Sequence, residues 1–288
     1  MSDARFVDIV WRGRPVRIEH VWVDGPAEAP LIVFLHEGLG SVSMWRDWPQ
    51  RLCAATGCRG LVYSRPGYGR STPRAADEHW APDFMHRQAH EVLPALLAAL
   101  DVRDPPWLFG HSDGGSIALL HAARHAVAGL IVAAPHCFVE DLSIRSIEAA
   151  RRAYDEGDLR QRLARHHDDP DSAFRGWNGI WLDPAFRDWN IESALATITA
   201  PVLAVQGTDD EYGTLEQIRC IPRRLPNKLQ AHLPSHLSPH LLIHSASPSP
   251  QAQLLEIPAC GHSPHRDQPQ ALSDAVAAFM AAHRARPY

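Results

Sequence analysis

Apolar residues fall along the chain in short blocks separated by helical stretches. Val16, Ile18 and Trp22 alternate with Arg17, Glu19 and Val21, the period of a half-buried edge strand. Residues 31–35 form a continuous apolar run after Pro30, which suits a strand covered on both faces. Similar runs stand at 61–63, 107–109, 130–133 and 202–205, with a weaker one at 254–257. Between them, residues 83–100 place Val92, Leu93, Leu96, Leu97 and Leu100 at helical spacing, with a kink expected at Pro94. Further helices are predicted over 116–125 and 269–282. Strand and helix alternate, so the expected class is α/β, a mostly parallel central sheet flanked by helices.

Two segments depart from the alternation. Residues 136–190 hold no strand-like run. They read as helices over 142–155 and 159–167, followed by Phe174, Trp177, Trp181, Phe186 and Trp189. A helical stretch inserted after the sixth strand is a candidate lid. The core is then expected from 1–135 and 191–288. The second segment, 222–252, is rich in proline and carries His232, His236, His240 and His244. Their spacing of four invites a metal reading. Pro234 and Pro239 forbid the continuous helix that would align the imidazoles, and no acid lies between 217 and 255. No metal is expected there, and the stretch reads as a loosely ordered surface insert.

With 288 residues, 45% hydrophobic and 21% charged, the chain is neither disordered nor fibrous. A net charge of −5 and the absence of a basic block argue against nucleic acid as a partner. Lys228 is the only lysine. Five cysteines without a CxxC pair, and an N-terminus lacking a signal-like apolar stretch, point to a reduced, cytoplasmic chain. No apolar run approaches the roughly 18 residues that would span a membrane.

The strongest chemical signal is Gly110-His111-Ser112-Asp113-Gly114-Gly115, between a strand and a helix. A serine between glycines at such a turn is a nucleophile elbow, which lifts Oγ clear of the sheet and aims a helix N-terminus at the reacting centre. A serine hydroxyl needs a base, and the base needs a carboxylate. Acids stand at the end of the 202–205 strand, as Asp209 and Asp210. Histidines follow the last strand, as His262 and His265.

Four blocks together resemble the α/β-hydrolase fold superfamily, from Leu31 to the C-terminus. They are His36-Glu37-Gly38-Leu39-Gly40-Ser41, the turn Tyr63-Ser64-Arg65-Pro66-Gly67-Tyr68-Gly69-Arg70-Ser71, the elbow, and the pair Gly207-Thr208-Asp209-Asp210 with Gly261-His262. The resemblance implies Ser112 as nucleophile, His262 as general base and Asp210 as its acid. It implies an oxyanion hole from the backbone N–H groups of Gly38 and Asp113. Glu37 stands where the family commonly has glycine, and Ser64 where it has aspartate. Glu37 either places a carboxylate beside the oxyanion hole, where it disfavours anionic substrates or hydrogen-bonds a polar one, or points to solvent.

One helix, one strand and their loops need about 25–30 residues. Asp210 and His262 are separated by 52, so the excess falls in the proline-rich segment. His36 reads as structural, and His265 as a competitor of His262. His136 opens the lid and either faces the pocket or packs the lid on the core. Trp177 and Trp181 share one helical face and either floor an apolar pocket or pack the lid on the core. Cys137 and Cys260 read as buried hydrophobes.

The expected activity is ester hydrolysis through an acyl-enzyme, on small or medium carboxylic esters with an apolar part, without a cofactor. A small-molecule substrate is the expected partner. Carbon–carbon bond hydrolysis, perhydrolysis and acyl transfer are alternatives on the same fold, and a non-catalytic small-molecule receptor is one from another class.

Overall fold

The computed structural model describes residues 3–75, 77–226, 242–244 and 252–283, with only the backbone of 242–244. The chain opens with an antiparallel hairpin, β1 (Arg5–Trp11) and β2 (Arg14–Val23). Arg12 and Gly13 both have positive φ, as its tight turn requires. Next come β3 (Leu31–Leu35), α1 (Trp48–Thr56) and β4 (Arg59–Tyr63). Helix α2 (Phe84–Arg87) passes through a π turn at Gln88–Val92 into α3 (Leu93–Ala99). Strand β5 (Trp107–His111) leads straight to α4 (Asp113–Ala122), then β6 (Gly129–Ala133). Helices α5 (Asp141–Asp155), α6 (Leu159–Leu163), α7 (Pro170–Trp181) and α8 (Glu192–Leu195) separate β6 from β7 (Val202–Gly207). The remainder is α9 (Glu216–Arg224), β8 (Leu242–His244), β9 (Ala252–Ile257), α10 (Pro264–Asp267) and α11 (Pro269–His283).

The strands form one sheet in the order β1-β2-β4-β3-β5-β6-β7-β9-β8. Pairing is parallel from β4 through β9 and antiparallel at both ends. The apolar runs are buried because both faces are covered. On one face Ile32, Phe34, Phe109 and Val205 pack with Trp48 and Leu52 of α1 and Val276 and Phe279 of α11. On the other, Val33, Leu35, Leu108 and Val132 meet α3, α4 and the helices between β6 and β7.

Several expectations change in detail. The 16–22 strand is not at the edge: β2 is paired on both sides, and the mostly exposed β1 takes the edge. The irregularity near Pro94 is a π turn just before it, because proline cannot donate to the carbonyl four residues back. Helix α4 begins at Asp113, three residues earlier than the pattern indicates, because the elbow turns directly into it.

Much of the 222–252 stretch, with His232, His236 and His240, lies outside the described residues. Its described margins narrow it: Pro222 is buried inside α9, and residues 242–244 pair with β9. Both flanks are held. Strand β9 runs parallel to β7 from Val202↔Ala252 to Gly207↔Ile257. Arg219 of α9 donates to both oxygens of Glu256 on β9, at 2.6 and 2.8 Å. The extra length therefore does not shift the register that leads to His262.

Phe109 is fully buried among Phe34, Trp45 and Trp48, with ring centroids 5.7–5.8 Å away. Phe109→Ala should cost about 3–5 kcal/mol of stability in urea unfolding. A loss below about 1 kcal/mol would show that this layer is not close-packed.

Candidate active site

The elbow is built from backbone close approach. Ser112 has φ 54 and ψ −122, a strained conformation for a residue with a side chain. Its N–H donates to the Ala133 carbonyl at 2.9 Å, and its carbonyl accepts from Gly115 N at 2.8 Å. A Cβ at Gly110 would overlap the Gly114 carbonyl, and one at Gly114 would overlap the Leu35 carbonyl. These glycines let α4 dock on the ends of β3 and β5. Asp113, first residue of α4, has no intrahelical acceptor for its N–H.

Ser112 Oγ lies 2.9 Å from His262 Nε2. His262 Nδ1 lies 2.8 and 3.0 Å from the two oxygens of Asp210. Asp210 also accepts from Tyr212 N at 2.8 Å and Gln206 Nε2 at 3.1 Å. Burial pushes the Asp210 carboxyl up, but the bond to His262, the charges of His262 and His136 and the Tyr212 amide outweigh it and hold the acid low. Asp209 is exposed, and its Oδ1 accepts from Thr208 Oγ1 at 3.2 Å. A Cβ at Gly207 would overlap the Cys260 carbonyl, so the loops after β7 and β9 touch directly. Asp209 N donates to that carbonyl at 2.9 Å.

His265 is not beside Ser112. It is buried against Trp45, Trp48 and His111, and burial, with the charge of His111, holds its imidazole well below the ordinary range. His36 is structural: Nδ1 donates to the Glu37 carbonyl at 2.7 Å, and Nε2 accepts from Arg65 N at 3.0 Å. The Cys137 and Cys260 sulfurs face carbonyls of Gln217 and Gly261, and burial pushes the Cys260 thiol up to about 12.

Glu37 points neither to solvent nor to Ser112 Oγ. Its Oε2 faces His111 Nδ1 at 3.6 Å, and its Oε1 faces Arg266 at 3.4 Å. Burial would raise its carboxyl, but His111 and Arg266 hold it well below the usual carboxylate range. His111 Nε2 in turn donates to the His262 carbonyl at 2.7 Å. One carboxylate thus links the loop after β3, the elbow and the loop of His262. Ser64 donates to Glu19 Oε2 at 2.7 Å, and that oxygen also accepts from Arg70 N at 2.9 Å. A glutamate from β2 therefore supplies the carboxylate that Ser64 lacks.

Helix α7 lies over this arrangement. Trp177 and Trp181 share a face, as their spacing predicts. The Trp177 indole nitrogen occupies the space where a Cβ of Gly38 would stand. Trp181 Nε1 donates to Asp113 Oδ1 at 3.2 Å. His136 stands edge-on to Trp181, with centroids 4.9 Å apart, and 5.9 Å from His262. Burial, and then the charge of His262, pushes the His136 imidazole down to about 4, so it is neutral. Tyr212, which the sequence did not single out, places its ring 4.7 Å from that of His262. Ser112 itself is only 7% exposed. A cavity of about 510 Å³ lined by Trp11, Arg74 and Trp80 lies at the β1–β2 hairpin, away from this chemistry.

The model of the Alpha/beta hydrolase family matches residues 32–275. The chain is 27% identical over 282 residues to the sn-1-specific diacylglycerol lipase ABHD11 of Mus musculus, covering 93% of this chain and 86% of that one. It is 28% identical over 227 residues to the bifunctional esterase/perhydrolase DCH of Acinetobacter calcoaceticus, covering 67% and 78%. Among solved structures, a thermophilic esterase from Thermogutta terrifontis superposes with a TM-score of 0.67 at 17% identity, covering 99% and 100%. That likeness speaks for the fold. The chain belongs to the alpha/beta hydrolase family.

Proposed function

We propose that the protein is a serine hydrolase acting on small or medium carboxylic esters through an acyl-enzyme. The observation that carries this reading is the unbroken chain Ser112 Oγ–His262–Asp210, with all links between 2.8 and 3.0 Å. His262 Nε2 takes the Ser112 proton as Oγ bonds to the ester carbonyl carbon. The carbonyl oxygen becomes an oxyanion between the N–H groups of Asp113 and Gly38, and the positive end of α4 adds to its stabilisation. His262 returns the proton to the leaving alkoxide as the C–O bond breaks. Water then repeats the sequence on the acyl-serine and releases the acid.

Asp210 fixes the tautomer of His262 and balances the imidazolium. Residues 136–190, with helices α5 to α7, act as a lid, with Trp177 and Trp181 against the substrate. The named lipase and esterase relatives support ester chemistry. The five buried cysteines, none of them in a disulfide among the described residues, fit a reducing, cytoplasmic setting.

Ser112→Ala should lower turnover of a phenyl ester by about three to six orders of magnitude and abolish fluorophosphonate labelling, with the fold retained. Labelling that persists in this variant would place the nucleophile elsewhere.

Asp210→Asn should reduce kcat by about 10⁴-fold, whereas Asp209→Asn should stay near wild type. Reversed ranks would move the acid to Asp209.

The value of kcat/KM should fall on acidification with a slope of one proton, because His262 must be neutral to accept from Ser112. Asp210, held low, stays ionised across that limb. His265→Ala should leave the limb in place. A limb that moves with His265 would assign the base role to that residue.

A further inference from the structure

The inference rests on the hydrolase reading above and concerns its acyl pocket. The residue after the nucleophile is an acid, and its side chain is almost wholly enclosed, with 1% exposure. Trp181 satisfies Oδ1. No donor among the described residues reaches Oδ2, and the buried Tyr68 hydroxyl has no partner either. The nearby Arg65 guanidinium does not close the gap. Its recorded bonds go to His36 and to the Glu37 carbonyl, and it lies over the Tyr68 ring at 4.8 Å.

A buried acceptor without a donor destabilises a fold, and chains keep such groups where a ligand uses them. The location is specific. Asp113 adjoins Ser112 in the chain, and its carboxyl sits beneath Trp181, which borders His136 and, through it, His262. In the hydrolase reading the Asp113 amide helps hold the acyl oxygen, so the acyl half is bound next to this residue.

We propose that Asp113 reads the acyl half of the substrate: the site takes esters whose acyl chain carries a hydrogen-bond donor, a hydroxyl or amide N–H, a few atoms from the carbonyl. The remaining wall, Trp177 and Trp181, contacts apolar carbon. A site built to hydrogen-bond a substrate group discriminates strongly against the analogue lacking it, because its own polar atoms are then left unpaired.

Ionisation fits the assignment. Burial pushes the Asp113 carboxyl up to about 6, against Arg65, the Trp181 bond and His262, while Glu37 adds to the rise. Near neutral pH it is therefore an anionic acceptor. Its raised value also means that ionised Asp113 weakens the fold above about pH 6, and that this penalty disappears toward the ordinary carboxylate range, where folded and unfolded chains are both protonated.

The test compares phenyl butanoate, phenyl 3-hydroxybutanoate and phenyl hydrogen succinate on the intact chain. The hydroxylated ester should show kcat/KM at least about tenfold above butanoate. Asp113→Leu should bring that ratio close to one, and Asp113→Asn should keep part of it. Equal rates for the two esters in an enzyme that labels at Ser112 would overturn the inference alone. Preference for the anionic succinate would assign the pocket to Arg65 and overturn it as well. Failure of all three esters together with no labelling would overturn the hydrolase reading and this one with it. A readout independent of turnover is the thermal midpoint. Asp113→Asn should raise it by a few degrees at pH 8, with the gain falling away below about pH 6. Equal midpoints at pH 8 would show that Oδ2 is already satisfied and would overturn the inference.

Discussion

The arrangement at the carboxyl edge of the sheet depends on backbone touching backbone. Gly114 lies against the Leu35 carbonyl, Gly110 against Gly114, and Gly207 against the Cys260 carbonyl. Side chains at these positions would push α4 off β3 and separate the loops after β7 and β9. The parallel ladder sets the heights of the strand ends, and the glycines let the loops meet. Ser112, Asp210 and His262 stand on those loops. Their separations below about 3 Å follow from the scaffold more than from any attraction among the three.

Charge then refines what the backbone positions. Glu37 and Glu19 each tie together segments far apart in sequence. Glu37 holds His111 and Arg266, and His111 holds the His262 carbonyl. Glu19 holds Ser64 and the Arg70 amide in the turn after β4. Neither carboxylate is a surface ornament: Glu37 faces His111 and Arg266 from two other segments, and Glu19 accepts two donors from a single turn. Asp113 differs from both. It is the enclosed acid with an oxygen left open, next to the serine, which is why it and not Glu37 is assigned to the substrate.

Much of this was legible in the sequence. Uninterrupted apolar runs mark strands covered on both faces, and the elbow is visible because its glycines lie within six residues of one another. The order of serine, acid and histidine, and the choice of Asp210 over Asp209, come from the resemblance to the family and not from local spacing. The outer strand β1, the link from Glu37 through His111 to His262, the ring of Tyr212 and the replacement of a missing aspartate by Glu19 were not legible. Strand β1 is mostly exposed and shows no clean alternation to read, and the other three are contacts between segments distant in the chain, which no local period encodes. The 52 residues that separate Asp210 from His262 exceed what one helix and one strand need. The β7–β9 ladder, reinforced by Arg219 and Glu256, carries the register across them.

The central claim is a covalent acyl-serine at the elbow. Intact-mass and peptide analysis of protein mixed with excess phenyl ester and quenched in acid within its first turnovers tests it most directly. The account predicts one acyl group per chain, on the peptide carrying Ser112. Steady ester turnover with acylation at another residue, or with none at any quench time, would contradict it.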